Sequence, residues 1–189
     1  SPQQALLVSS LDLDQFSYDP AHSDIRQIRS DILEPVELGI PAAACYGVYL
    51  QYRNCEIPQP GILITIKGQC CRREKEYDYL RRLLGFHMRE VVALGAQSFV
   101  EAHLTEYSEK IMTFAALLGL PLQKAVAMDP FFGPLEAGKH NQERVSSKYE
   151  FLFGDIALAS LNYHSVFFGE RCQITLSESS NFAFSSCVA

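Results

Sequence analysis

The apolar and polar positions of this chain form short runs, and most of them predict β-strands. Residues 62–66 (ILITI) are short and β-branched, and they predict a strand that continues through Cys70 to Glu74. A charged loop from Lys75 to Gly85 follows, and residues 86–94 predict the returning strand. Together these segments predict a long hairpin with a basic tip.

Other runs predict further strands. The segment 42–52 (AAACYGVYLQY) is apolar and aromatic, which is typical of a buried strand. Residues 1–30 are mixed and polar, and they predict one or two strands with loops. Four more candidates lie at 123–128, 147–153, 157–163 and 181–188.

One long helix is predicted at residues 97–118. Ser98 and Glu101 have the spacing of a capping box, and Gly119 and Pro121 would end the helix. An apolar face recurs with helical period, at Phe99, Val100, His103, Leu104, Tyr107, Ile111, Phe114, Ala115 and Leu118. Because successive strands lack helical crossovers, the sheet should be mostly antiparallel and the fold class α+β.

The bulk composition is that of an ordinary globular chain, with 48% hydrophobic and 20% charged residues. Its 189 residues show no linker or repeat, so we expect a single domain over 1–189. The sequence has neither an apolar run of about 18 residues nor a secretion signal, which favours a cytoplasmic protein without a membrane span. The net charge of −6 argues against a broad, charge-driven grip on nucleic acid.

Local features leave alternatives open. Six basic residues between positions 72 and 89 form either a binding patch or a solvated surface. None of the six cysteines forms a C-x-x-C pair, so each is either a small buried apolar residue or a ligand in a dispersed site. On a strand, Arg72 and Glu74 point to the same face, where they could grip a phosphate and a base or ribose, or form a surface ion pair.

The sequence resembles a known protein family. Arg72-x-Glu74, the loop and the return strand look like motif 2 of class II aminoacyl-tRNA synthetases. A narrower resemblance, over residues 35–189, is to amino acid:carrier protein ligases, which are similar to the catalytic core of atypical zinc-dependent seryl-tRNA synthetases. It is carried by strings in the family's order: ACYGVY (44–49), CCRRE (70–74), FHMRE (86–90), DPFFG (129–133), KYEF (148–151), NYH (162–164), FFG (167–169) and SCV (186–188).

The resemblance implies a fold, an activity and partners. The fold would be a class II synthetase-like antiparallel sheet flanked by helices, in a homodimer. The activity would be ATP-dependent activation of a small amino acid and its transfer to the phosphopantetheine thiol of a carrier protein. A tRNA ligase is an alternative, against which the acidic net charge counts.

The resemblance also implies site residues. Zn²⁺ would be held by Cys45, Glu90 and Cys187, with the substrate amino group in the open position. The alternative is that these are three unconnected core or surface residues. For ATP with Mg²⁺, Arg72 would contact the α-phosphate, Glu74 would lie on the nucleotide side, and Phe86 or Met88 would pack against adenine. The amino acid pocket would be lined by Lys148, Glu150, Asn162 and His164, although His164 could equally be a structural hydrogen-bonding residue.

The sequence departs from the family's pattern at four points. The family's motif 3 brings an arginine for the γ-phosphate soon after the second zinc cysteine, and this sequence ends at Ala189. Either the natural chain continues into motif 3, or the protein is a catalytically impaired paralogue that acts as a binding partner. Cys71 replaces an aromatic residue, Arg73 stands where a His is common, and the N-terminal region is shorter.

Overall fold

The computed structural model describes residues 5–12, 30–79, 81–127 and 148–189. Its α-helices are α1 (Tyr46–Gln51), α2 (Gln97–Leu117) and α3 (Phe167–Cys172), with a short 3-10 helix at Ser30–Ile32. Its strands are β1 (Leu6–Val8), β2 (Leu38–Ile40), β3 (Glu56–Ile57), β4 (Gly61–Cys71), β5 (Gly85–Gly95), β6 (Gln123–Val126), β7 (Lys148–Phe153), β8 (Ile156–Ser165), β9 (Thr175–Leu176) and β10 (Phe184–Val188).

The centre of the fold is a six-stranded sheet in the order β4-β5-β10-β8-β7-β6. Every neighbouring pair in this sheet is antiparallel, which confirms the predicted α+β class. Two small sheets flank it, β1 with β2 antiparallel and β3 with β9 parallel. The predicted strands of the central sheet are all present with small shifts of their ends.

The predicted hairpin is confirmed, and its pairing runs from Gly61 opposite Gly95 to Cys71 opposite Gly85. Its first strand is shorter than expected, because β4 ends at Cys71. The backbone N–H of Arg72 still donates to the carbonyl of Leu84 at 2.9 Å, after which the ladder stops. The prediction that Arg72 and Glu74 lie on a strand is therefore wrong.

The segment 42–52 was expected to be a strand, and this prediction is wrong because its core forms α1. Cys45, Val48, Tyr49 and Tyr52 have the i, i+3, i+4, i+7 spacing of a helix face, and all four pack into one apolar cluster. Gly47 allows the close approach to the sheet, since a Cβ there would lie 2.9 Å from Cδ1 of Ile66. In the structure the segment follows the helical period, which places these four side chains on one buried side.

The helix α2 confirms the predicted long helix and packs on one face of the sheet. Phe151, Leu161 and Val188 are buried beneath it, with Leu104 and Tyr107 packed against them. The predicted capping box is wrong, because the helix begins at Gln97 directly after β5 and its N-cap is Ala96. Phe114 and Leu118, expected on the apolar face, are exposed.

The opposite face of the sheet carries α1 and α3 beside a larger apolar cluster that includes Val92, Leu94 and Ile174. The helix α3 was not predicted. Gly169 permits its close packing, because a Cβ at this position would collide with the backbone carbonyl oxygen of Ala183. This face holds the candidate site described below.

Some predictions fall outside the described residues, namely most of the 1–30 region and the string at 129–133. The described helices include none that is both long enough and apolar enough to cross a membrane.

Candidate functional site

Three acidic side chains from distant parts of the chain meet on the face that carries α1 and α3. The ligand atoms of Cys45, Glu90 and Cys187 all lie within 4.8 Å of one another, and all three residues are buried. Cys45 directly precedes α1, Glu90 lies on β5 and Cys187 on β10. The tertiary structure thus brings together the three residues that the resemblance identifies as metal ligands.

The register of the sheet explains why these side chains share a face. Cys187 lies opposite Val92 on one side and opposite Asn162 on the other, and Lys148 lies opposite Asn162. Residues directly opposite in antiparallel strands point to the same face, as do residues two apart along one strand. Glu90 is two residues from Val92, so its carboxylate lies on the same face.

Glu90 is oriented by the start of α1. Its Oε1 accepts the backbone N–H of Ala44 at 2.7 Å and that of Cys45 at 3.1 Å. These N–H groups lie where a helix start leaves donors without intrahelical partners, and the carboxylate satisfies them. Oε1 accepts both hydrogen bonds, and the carboxylate also contributes an oxygen atom to the cluster with the two sulfurs.

The electrostatics of the cluster favour a cation. The hydrogen bond with Cys45, burial and the nearby acidic groups of Cys45 and Glu90 raise the pKa of the Cys187 thiol well above its ordinary value. Within the described residues, no Lys or Arg forms an ion pair with Glu90. Two thiols and a carboxylate are ligands that Zn²⁺ accepts, and a divalent ion would offset their mutual repulsion. The donor set therefore fits zinc.

Two polar side chains of β8 contact the Cys187 sulfur. Asn162 Nδ2 donates to Cys187 Sγ at 3.6 Å, and His164 Nε2 lies 3.3 Å from the same sulfur. Burial lowers the pKa of His164 to about 4, so its imidazole is neutral at neutral pH. Both residues were predicted to line the amino acid pocket, and the structure places them against a candidate metal ligand.

An aromatic group that the sequence analysis missed closes the other side of His164. Tyr49 and Phe168 stack with ring centroids 3.8 Å apart, and the His164 ring meets Phe168 edge-on at 5.0 Å. Burial and the nearby acidic Cys187 and Cys45 raise the pKa of Tyr49 well above its usual value, so the phenol stays protonated. The helical spacing of Cys45, Val48 and Tyr49 was the sequence signal that could have placed Tyr49 here.

Arg72 lies at the outer end of the same face. Its Nε donates to the carbonyl of Ala42 at 2.8 Å, and its guanidinium carbon lies 5.1 Å from the centre of the Phe86 ring. Among the described residues, no hydrogen-bond acceptor lies on its terminal Nη nitrogens. Arg72 is thus held by Nε while its Nη groups remain available to an anion.

Phe86, Met88 and Glu90 lie two residues apart on β5 and share the site face. At the rise of an antiparallel strand, the four residue steps from Phe86 to Glu90 span about 13 Å. Phe86 and Met88 are half-buried, whereas Glu90 is buried. The face therefore has a basic, aromatic end and an acidic, thiol-rich centre.

The remaining predicted residues fall at two places. Glu74 lies on the loop after β4, where its backbone N–H donates to the Tyr77 hydroxyl at 3.4 Å. Lys148 and Glu150 form an ion pair at 3.0 Å on β7, on the far side of the face. Of the basic cluster, Arg81 pairs with Asp155 at 3.2 Å, and Arg73 is exposed.

No protein-family model matches the sequence. The chain is 32% identical over 145 residues to amino acid–acyl-carrier-protein ligase 1 of Bradyrhizobium diazoefficiens, covering 72% of this chain and 44% of the relative. It is 31% identical over 168 residues to ligase 2 of the same organism, covering 85% of this chain and 50% of the relative. The chain is a homologue of amino acid–acyl-carrier-protein ligases. It spans about half the length of the curated relatives it matches.

Solved structures establish the fold of this ligase homologue. M. kandleri SerRS, in a complex with A. aeolicus tRNASec, superposes with a TM-score of 0.75 at 19% identity, covering 99% of this chain and 41% of that chain. Giardia lamblia prolyl-tRNA synthetase, in complex with prolyl-adenylate, superposes with a TM-score of 0.67 at 13% identity. The match covers 99% of this chain and 35% of that chain. The fold is that of the class II aminoacyl-tRNA synthetase catalytic domain, as the resemblance implied.

Proposed function

We propose that the chain forms the catalytic core of an enzyme that activates a small amino acid with ATP and transfers it to the phosphopantetheine thiol of a carrier protein. The observation that carries this proposal is the buried Cys45–Glu90–Cys187 cluster on the same sheet face as Arg72. The kinship with amino acid–acyl-carrier-protein ligases supports the reaction class.

Cys45, Glu90 and Cys187 would hold Zn²⁺. Two thiolates and a carboxylate would leave one position open to substrate, as catalytic zinc sites with three protein ligands do. When bound, the zinc would supply a Lewis acid that holds the free α-amino group of the substrate. A hydroxy acid lacks that amine and would be rejected.

Arg72 would bind the α-phosphate of ATP through its free Nη groups. The carboxylate oxygen of the amino acid forms a bond to the α-phosphorus, and the bond to the pyrophosphate oxygen breaks. No side-chain nucleophile is required, since positioning and charge neutralisation by Arg72 would promote the step. Mg²⁺ bound with ATP would supply further positive charge. Phe86 or Met88 would pack against adenine, and Glu74 would lie beside the nucleotide.

The spacing of the two ends of the face suits an aminoacyl-adenylate. Its amine would lie at Glu90 in the centre and its base near Phe86, about 13 Å away along β5. Lys148 and Glu150, on the opposite side of the centre, would border the amino acid side chain. Buried residues crowd the cluster, since Glu90, Cys45 and Cys187 are each at most 4% exposed. That crowding favours a small substrate side chain.

The test is amino-acid-dependent exchange of pyrophosphate into ATP, measured for all the standard amino acids on zinc-loaded protein of natural length. We expect exchange with one small amino acid, its loss in Arg72→Ala and Cys187→Ala, and its retention in Arg73→Ala, whose side chain is exposed. Absence of exchange despite stoichiometric zinc would overturn the proposal and leave a paralogue that binds without catalysis.

Transfer is tested separately with three acceptors. We expect radioactive amino acid to reach a carrier protein that bears phosphopantetheine, but neither the same carrier without that group nor bulk tRNA. Loading of tRNA in place of the carrier would indicate a tRNA ligase. The homodimer implied by the resemblance is tested by light scattering on the same preparation.

A further inference from the structure

The sulfur of Cys187 has two polar neighbours that the proposed chemistry does not require. Asn162 and His164 lie two residues apart on β8, and both reach Cys187 Sγ, at 3.6 Å and 3.3 Å. The pairing of β8 with β10 sets this contact, because Asn162 is directly opposite Cys187. The two side chains therefore approach the sulfur from one side of the cluster.

The imidazole of His164 is held in place by aromatic rings. It meets Phe168 at 87° with centroids 5.0 Å apart and Tyr49 at 90° with centroids 6.2 Å apart. Phe168 and Tyr49 are themselves stacked, with 6° between their planes. This packing restricts rotation of the ring and keeps Nε2 directed at Cys187.

We infer that His164 is a positioning residue that donates its Nε2–H to the metal-bound thiolate of Cys187. The inference rests on the metal centre of the proposed function. A thiolate that binds a cation has lost its proton and can only accept hydrogen bonds. The hydrogen bond between His164 and Cys187 therefore requires the imidazole proton on Nε2. Hydrogen bonds from such outer residues orient a ligand and tune its affinity for the metal.

Two other roles for His164 are less consistent with the geometry. The group of candidate metal ligands among the described residues comprises Cys45, Glu90 and Cys187 and does not include His164. A fourth protein ligand would also fill the position that the substrate amine needs. A direct role in substrate binding is less consistent, because the polar contact shown for its Nε2 is with the sulfur.

Two substitutions separate the hydrogen bond from the packing. His164→Phe keeps an aromatic ring against Phe168 and Tyr49 and removes the donor, whereas His164→Gln restores an amide N–H near the position of Nε2. His103→Asn is the matched control. His103 is a buried histidine that contacts Ser186 Oγ at 2.9 Å through Nδ1, on the face opposite the cluster.

Three readouts follow the metal site without ATP or amino acid, and pyrophosphate exchange with its KM for the amino acid is measured beside them. The three readouts are zinc affinity by competition with a chelator, the thiolate-to-cobalt charge-transfer band of Co²⁺-loaded protein, and ¹⁵N NMR of the His164 tautomer. We expect His164→Phe to weaken zinc binding by about 10- to 100-fold and to shift the band. His164→Gln should restore most of the affinity, His103→Asn should leave it unchanged, and NMR should place the proton on Nε2.

Wild-type affinity and an unshifted band in His164→Phe would overturn the inference. A changed cobalt coordination number would make His164 a ligand, and a raised KM for the amino acid with unchanged zinc affinity would make it a substrate-binding residue; either result also overturns it. Zinc-loaded protein that shows no pyrophosphate exchange would overturn the proposed reaction but not the positioning role of His164. Protein that binds no zinc would overturn both the proposed reaction and the positioning role of His164.

Discussion

The backbone N–H of Cys45 donates to Oε1 of Glu90 at 3.1 Å, so one candidate metal ligand orients another before any ion binds. Ala44 donates to the same oxygen at 2.7 Å. Glu90 therefore has two functions in one carboxylate. It satisfies the backbone donors at the start of α1, and it contributes a carboxylate oxygen to the cluster.

The dual function of Glu90 can be separated by substitution. Glu90→Gln keeps an oxygen that accepts both backbone N–H groups but loses the negative charge, so we expect near-native stability and zinc affinity reduced by at least about 100-fold. Glu90→Ala also leaves two buried donors unpaired, which costs about 1–3 kcal/mol for each unsatisfied group. Chelator competition and urea unfolding measure the two effects. Equal loss of stability in both variants would contradict this account.

The cysteines should differ in their effect on zinc content. We expect Cys45→Ser and Cys187→Ser to lose stoichiometric zinc, because a hydroxyl is not deprotonated at neutral pH as a thiol ligand is. Cys55→Ser is the control, since Cys55 is half-buried and its sulfur contacts the carbonyl of Arg53. Atomic absorption on dialysed protein measures the content. Retained zinc in both cluster variants would refute the site.

Zinc affinity should depend steeply on pH. The Cys187 thiol has a raised pKa in the metal-free protein and must lose its proton to bind zinc. We therefore expect binding to release protons and the affinity to fall by about tenfold or more for each unit that pH decreases below that pKa. Calorimetry in buffers of different ionisation enthalpy counts the released protons. Binding without proton release would contradict the prediction.

Stability should fall in mild acid because of His103. Burial lowers its folded pKa from 6.5 to about 4, so the unfolded state binds the proton first as pH decreases through 6.5. The contribution of His103 to stability is full above pH 6.5 and is lost progressively as the pH falls towards 4. Metal-free wild type and His103→Asn are compared by urea unfolding at pH 7.5 and 5. An identical pH dependence in the two would exclude His103 as the cause.

The close packing of α3 should make Gly169 intolerant of a side chain. A Cβ at Gly169 would collide with the backbone of Ala183, so Gly169→Ala should destabilise the fold by about 1–3 kcal/mol or more. At Gly85 the nearest atom to an added Cβ is Cys71 Sγ at 3.5 Å, an ordinary contact, so Gly85→Ala should be much milder. Thermal unfolding of both variants measures the difference, and equal melting temperatures would contradict it.

The local pattern of apolar residues was sufficient to predict an element where their spacing matches the period of that element and so places them on one buried side. The β-branched run at 62–66 and the apolar face of α2 predicted their elements correctly. The segment 42–52 failed because it is apolar on nearly every side and is compatible with either period. The carboxylate of Glu90, which is 45 residues from Cys45 in the chain, accepts the backbone N–H groups at the start of this helix.

By itself the sequence predicted the antiparallel sheet and the long helix and, through the resemblance, singled out Cys45, Glu90, Cys187 and Arg72 as candidate site residues. Only the tertiary structure decided that the first three meet within 4.8 Å and that Arg72 lies beyond the end of β4. It also decided that His164 faces a sulfur. The physical reason is register: which side chains share a face depends on strand pairing between distant residues, and local composition carries no record of that pairing.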